Sequence, residues 1–376
     1  VSRFAADIDL DAVSANVARL DAVSGDAAVM AVVKADGYGH GMIPCAKAAL
    51  AGGATWLGVA FAEEALALRA EGLDVPVLAW LVSATDDVES LVRASVDVSV
   101  SAPWGLDLAA EAAARAGRPA RVHLKVDTGL GRAGATAADW PDLVTAAAKA
   151  VADETVEVVG VWSHLAYADA PTHPTIAAQA AAFADALEVA DRAGVRPLVR
   201  HLANSAATLA LPSTHYDVVR PGIAVYGLSP GAAVGNAAGL GLRPAMTLRA
   251  EVALVKRVPA GQGVSYAHRY TTDRETTLAL VPLGYADGVP RHATNVGPVS
   301  IAGRRHTVSG AVCMDQFVVD VGDAAVSVGD DAVLFGPGDA GEPTADDWAA
   351  AVGTISYEIV SRIGARVPRR YAGGPS

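Results

Sequence analysis

A chain of 376 residues that is 52% apolar but only 5% aromatic holds enough Ala, Val and Leu for a large barrel plus a smaller domain. Its formal net charge of -12 lacks the basic footprint of a nucleic-acid binder, which excludes that class of partner. Only Cys45 and Cys313 occur, far apart and outside any CxxC pair, so neither a disulfide framework nor a metal site is expected, and a reducing cytoplasm fits.

Asp7, Asp9 and Asp11 stand where a secretion signal would need basic and then apolar residues. From there, short apolar runs alternate with Ala-rich stretches of helical composition, the pattern of a parallel strand-helix fold. In chain order the runs are AVMAVVKA (28–35), TWLGVA (55–60), PVLAWL (76–81), VDVSVS (96–101), RVHLKVD (121–127), VEVVGVWSH (156–164), LVRHLAN (198–204) and YDVVRPG (216–222). Eight runs predict a (β/α)8 barrel over residues 1–238. Helical segments such as FAEEALALRAEG and PWGLDLAAEAAARAG each end at a glycine suited to a helix C-terminus. The uncharged stretch 223–242 is broken by many glycines, Pro230 and Asn236, so it reads as a loop and not as a membrane helix. From residue 239 to 376 the texture changes to short strands separated by Gly and Asp turns, which predicts a mostly β C-terminal domain. The fold class is therefore α/β, with an N-terminal (β/α)8 barrel and a β-rich second domain.

Active sites of such barrels lie at the C-terminal ends of the strands. The polar residues that fall there are Lys34, Arg132 just beyond the fifth run, His164, Asn204 with Ser205, and Arg220. A lone lysine at a strand end is ordinarily a solvated rim residue, but this one has company. Ser205 follows the seventh run, and Gly222 with Ile223 follows the eighth, where barrels bind phosphate through backbone N–H groups. A lysine able to form a Schiff base opposite a phosphate cradle is what pyridoxal 5'-phosphate (PLP) requires. Taken singly, each motif is ordinary: ANSAA is a helix N-cap, and RPG is a strand-ending turn.

The blocks AVVKADGYGHG, LKVDTGLGRAG, SHLAYAD, ANSAA, VRPGIAVYG, GVSYAHRY, LGYADG, CMDQ and ISYEIVSRIGARVPR span almost the whole chain. In that order they resemble the blocks of the alanine racemases, PLP enzymes of fold type III. The resemblance implies that Lys34 carries the PLP and that Tyr38, Ser205, Gly222, Ile223 and Tyr357 hold its phosphate, beside Asn204. It implies that Arg220 hydrogen-bonds the pyridine nitrogen, and that Tyr266 is a second catalytic base reaching the PLP of the neighbouring subunit. The enzyme would then be a cytoplasmic homodimer with shared active sites. His164 and Arg220 resemble the pair that favours the phenolate of that tyrosine. Arg132 resembles the residue touching the PLP phenolic oxygen and the substrate carboxylate, while Met314 and Tyr285 match carboxylate-binding and entrance positions, with Asp315 beside them. Lys125, mid-strand between Leu124 and Val126, matches a lysine that is often carbamylated to orient the arginine; an ion pair to Asp127 or another carboxylate is the simpler reading. Ser163, Leu130 and Ala267 depart mildly from the family pattern. The implied reaction is the interconversion of L-alanine and D-alanine by two bases, feeding bacterial peptidoglycan synthesis. Competing readings are a racemase acting on serine as well as alanine, a decarboxylase of the same fold type, and a PLP carrier without a reaction.

Overall fold

The computed structural model describes residues 3–374. The first strand, β1 (Phe4–Asp9), leads into a helix (Leu10–Ser24) whose N-terminus is capped by the Asp9 carboxylate, 2.9 Å from the Ala12 N–H. Eight parallel strands follow: β2 (Ala28–Val32), β3 (Trp56–Val59), β4 (Val77–Ala79), β5 (Asp97–Val100), β6 (Ala120–Lys125), β7 (Val156–Trp162), β8 (Val199–His201) and β9 (Val218–Val219). They pair in sequence order from β2 to β8, with β9 on the other side of β2. The Asn204–Arg220 bridge and the Arg220 N–H donated to the Ala203 carbonyl draw β8 towards β9 and all but close the barrel. Strands covered on both faces read as near-continuous apolar runs, which is why all eight are visible in the sequence. The last two are shorter than their runs, because Asn204 turns the chain into a helix cap and Pro221 has no N–H to continue a ladder.

The main core lies between the strands and the surrounding helices, where Val29, Leu57, Val77, Leu124 and Val161 meet residues such as Val17, Leu68, Leu91 and Phe183. A small separate cluster of Met30, Leu78 and Val218, with Trp56 and Trp80 packed on it, belongs to the opposite, inward strand faces.

The β-rich part has two main sheets. In the larger, β10 (Met246–Glu251) lies between β1 and the strand Asp331–Phe335, and β1 also pairs in parallel with Arg369–Ala372. β1 therefore sits in the C-terminal sheet and not in the barrel. The pairing that attracts it lies some hundreds of residues away, beyond the reach of local pattern. The smaller sheet contains Leu254–Val258, Thr276–Val281 and Phe317–Gly322. Two short helices, Ala345–Val352 and Ser356–Ser361, complete this part, and the second packs on the loop after β2. There, an added Cβ at Gly39 would overlap the Val360 carbonyl, and the Arg369 guanidinium donates to the Gly39 carbonyl at 3.0 Å. Both cysteines are free. Among the described residues no helix is long and apolar enough to cross a membrane.

Candidate active site

Lys34 leaves the end of β2 into an unusual turn. Ala35 (φ 52°), Asp36 (φ 51°), Gly37 (φ 61°), Tyr38 (φ 52°) and Gly39 (φ 82°) are all left-handed. Each L-residue held there costs roughly 1–2 kcal/mol, so a run of three non-glycine residues must be imposed by its surroundings. The imposing bonds are specific. Glu64 accepts from the Ala35 N–H at 2.6 Å, the Asp36 carboxylate accepts from the Met42 N–H at 2.9 Å, and the Gly41 N–H reaches the Asp36 carbonyl at 2.8 Å. Buried His40 bridges the Gly37 and Tyr38 carbonyls through Nδ1, at 3.0 Å each, and stacks on Tyr226. Tyr226 in turn donates to the Val32 carbonyl beneath Lys34. The turn aims Lys34 and Tyr38 into one cavity.

That cavity, about 490 Å³, opens at the C-terminal ends of the barrel strands. It is lined by Lys34, Tyr38, Lys125, Arg132, His164, Asn204, Ser205, Arg220, Gly222, Ile223 and Tyr357, with Trp80, Leu81 and Trp162 as apolar walls. Every barrel residue singled out in the sequence therefore converges here, and Tyr357 joins them from the C-terminal part. Lys34 Nζ lies 5.5 Å from the Trp80 ring centre; Lys125 Nζ and the Arg220 guanidinium carbon lie 4.2 Å and 4.8 Å from the Trp162 ring centre.

Four cations line this space without one carboxylate. Burial, and then the Arg132 charge, lower the Lys34 ammonium from its ordinary value, with Glu64 pulling the other way. Lys125 is drawn down to about 8, by burial and then by Arg220 and Arg132. Burial and the same cations hold His164 well below the usual imidazole range, so it is neutral. The simpler reading of Lys125 as the ion-pair partner of Asp127 is not what the fold adopts: the Asp127 carboxylate accepts from the N–H groups of Gly129, Leu130 and Gly131. Chemically, the cavity offers amine nucleophiles in a setting that favours anions.

At one end, Ser205 Oγ accepts from the Gly222 N–H at 2.8 Å, joining the ends of β8 and β9, and Asn204 caps the helix Ser205–Ala210. A Cβ at Gly222 would overlap the Tyr38 hydroxyl, so this approach needs glycine. The Tyr38 ring lies between those of Tyr226 and Tyr357, and burial raises the pKa of both Tyr38 and Tyr357, leaving neutral O–H donors. The Ser163 hydroxyl donates to the Val126 carbonyl at 2.7 Å, and the Ser163 carbonyl accepts from Arg220 at 2.7 Å.

Tyr266, Tyr285, Met314 and Asp315 do not line the cavity. They stand together on the surface of the C-terminal part, with Tyr266 71%, Met314 53% and Tyr285 42% exposed. Ser265 Oγ approaches Cys313 Sγ at 3.3 Å, and the Tyr285 and Ala286 N–H groups donate to the Cys313 and Met314 carbonyls. The Arg366 guanidinium bridges Asp315 and buried Asp287. Ala267 has φ 58°, a left-handed conformation that suits glycine better than alanine. The sequence reading missed Glu64, His40 and Tyr226, which support the Lys34 turn, and Trp80 and Trp162, which wall the cavity. His40 and Tyr226 stood inside the family blocks, and Glu64, Trp80 and Trp162 stood inside the quoted helical and strand runs without any mark of their role.

Two family models match the chain: "Alanine racemase, N-terminal domain" over residues 8–230 and "Alanine racemase, C-terminal domain" over 245–371. An alanine racemase of Frankia casuarinae is 67% identical over 98% of this chain and 96% of its own length. The crystal structure of the alanine racemase of a D-cycloserine-producing Streptomyces lavendulae is 56% identical, with a TM-score of 0.99 over 100% of this chain and 98% of that one. The Bacillus anthracis alanine racemase with bound L-Ala-P is 34% identical, with a TM-score of 0.90 over 99% and 96% of the two chains.

Proposed function

The chain belongs to the alanine racemase family, and from that premise we propose how its own residues perform the reaction. It is a PLP-dependent isomerase that interconverts L-alanine and D-alanine. The observation that carries the residue assignment is the lining of the cavity: cations, phenols and backbone N–H groups around two amines, with no carboxylate, suit a ligand bearing a phosphate and a phenolic oxygen. Bound PLP supplies the electron sink that acidifies the α-hydrogen of the amino acid.

Lys34 holds the cofactor's aldehyde. Tyr38, Ser205, Tyr357 and the Gly222 and Ile223 N–H groups hold the phosphate beside Asn204, and Arg220 donates to the ring nitrogen. Burial draws Arg220 down only to about 9, so it stays a charged donor near neutrality and does not behave as a carboxylic acid would there. Arg132 binds the phenolic oxygen and the substrate carboxylate. Lys34 takes or returns the α-proton on one face. On the other face that work belongs to Tyr266 of the partner subunit, accompanied by the partner's Met314, Tyr285 and Asp315. Support for a partner comes from a catalytic-type tyrosine and its neighbours standing exposed on the C-terminal part, outside the cavity that holds Lys34. Neutral His164 and charged Arg220 would favour the incoming phenolate.

We further propose that the cofactor barrel, expected over residues 1–238, begins after β1, which joins residues 239–376 in the domain lending the second base, in a cytoplasmic homodimer that supplies D-alanine to cell-wall precursors; two free cysteines fit a reducing compartment. The test is purified protein with PLP and L-alanine in deuterated water. Optical activity decaying to zero as deuterium enters the α-position supports the reading, and alanine that stays optically pure and protonated overturns it.

Two narrower results follow from the cavity. Gly222→Ala overpacks the Tyr38 hydroxyl and is expected to weaken PLP binding by about 1–3 kcal/mol, read by titration of cofactor fluorescence. Lys125, an amine lowered to about 8, is expected to react with carbon dioxide, giving an anion beside Arg132. The check is a carbonyl signal from 13C-bicarbonate that vanishes in Lys125→Ala, with activity falling about 10-fold.

A further inference from the structure

The inward faces of the barrel strands carry polar groups as well as apolar ones, and four contacts join them in a line. Arg121 Nε donates to Asp97 Oδ1 at 2.6 Å, Asp97 Oδ2 meets His123 Nε2 at 3.1 Å, His123 Nδ1 meets His201 Nε2 at 2.8 Å, and His201 Nδ1 meets Arg220 Nη1 at 3.1 Å. Asp97, His123, His201 and Arg220 are all buried. The fold makes room for this line, since a Cβ at Gly160 would overlap His123 Nδ1, the ring edge that faces His201.

Donor and acceptor counting fixes every proton in it. Arg220 can only donate, so His201 Nδ1 is bare and its proton sits on Nε2. That proton points at His123 Nδ1, which must also be bare, leaving the second proton on His123 Nε2, where ionised Asp97 can only accept. The two ends of the line thus demand the same arrangement. Burial and then the Arg220 charge hold His201 well below the usual imidazole range, which keeps it from becoming a second donor to Arg220.

We propose that Asp97, acting through His123 and His201, sets the tautomer that makes His201 an acceptor and thereby positions the Arg220 guanidinium for the cofactor's ring nitrogen. Asp97, His123 and His201 are positioning residues, and their assignment rests on the role given to Arg220 above. Asp97→Asn tests the direction of the line. Arg121 keeps the amide oxygen, so the amide NH2 faces His123 Nε2. Both rings must then switch to the Nδ1–H tautomer, which sets an N–H of His201 against an N–H of Arg220.

Neutron diffraction from deuterated holoenzyme reads the tautomers directly. The wild type should carry deuterium on Nε2 of His123 and His201 and none on Nδ1. Asp97→Asn should move both deuterons to Nδ1 and lower kcat about 10–100-fold, with KM for alanine changing less. Adding Arg121→Met frees the amide to present its oxygen to His123, so Asp97→Asn/Arg121→Met should recover the Nε2–H tautomers and most of kcat. A merely structural Asp97 would give the double variant no recovery. Deuterium on His201 Nδ1 in the wild type overturns the proposal without any variant, and so does Asp97→Asn with unchanged tautomers. Wild-type protein that shows the expected deuterons but does not racemise alanine overturns the functional reading and upholds the tautomer line.

Discussion

Lys34→Ala is expected to lower alanine racemisation by on the order of 10^4-fold or more, because one substitution removes both the amine for the cofactor and the proton carrier of one face. The cavity holds a second amine of lowered pKa, Lys125, so the result is informative and not foregone. Lys125 lies at the end of β6 over the Trp162 ring, whereas Lys34 is delivered by the left-handed turn beside Tyr38 and the phosphate end. Lys34→Arg keeps the charge and loses the nucleophile, so it should be as inactive as Lys34→Ala. Absorbance of the bound cofactor and deuterium entry at the α-carbon are the measurements. A Lys34→Ala protein that keeps a substantial fraction of both would hand the role to Lys125.

Tyr266→Phe should lower turnover by about 10^2–10^4-fold while leaving the fold intact. Tyr266 is 71% exposed, and loss of its hydroxyl costs little stability in this chain, within about 0.5 kcal/mol for a surface change. A two-base mechanism gives this variant a distinctive signature: the α-hydrogen of one alanine enantiomer still exchanges with solvent through Lys34, and that of the other does not. Mixing the two dead variants tests the sharing of sites. In a mixed dimer one site lacks both groups and the other has both, so random exchange should restore about one quarter of wild-type activity. No restoration would place both bases within a single chain.

Most of the barrel was legible because strands buried on both faces leave continuous apolar runs, and most of the cavity because polar residues at strand ends must face it. Lys34, His164, Ser205 and Arg220 were found on that ground, before any likeness was weighed. Tyr38, Tyr266 and Tyr357 were not, since a tyrosine in a turn or short helix has no local mark of function, and family blocks alone pointed to them. The left-handed turn was illegible for a different reason: Glu64, His40 and Tyr226 impose it from outside, against the preference of Ala35, Asp36 and Tyr38. Asp97, His123 and His201 stood in the strand runs and passed for ordinary strand residues. The alternation of Arg121, His123 and Lys125 along one strand was the available signal that a polar face points inward.

The position of β1 has a consequence for biosynthesis. It is made well before both strands that flank it, β10 and Arg369–Ala372, so on the ribosome it has no sheet to join while the barrel takes shape. The C-terminal sheet can be clasped only after Arg369–Ala372 emerges, and Arg369 is also the residue that secures the Gly39 carbonyl of the Lys34 turn. A chain released early would carry a complete barrel sequence yet lack both the closing strand and the Arg369 bond that ties the Lys34 turn to it.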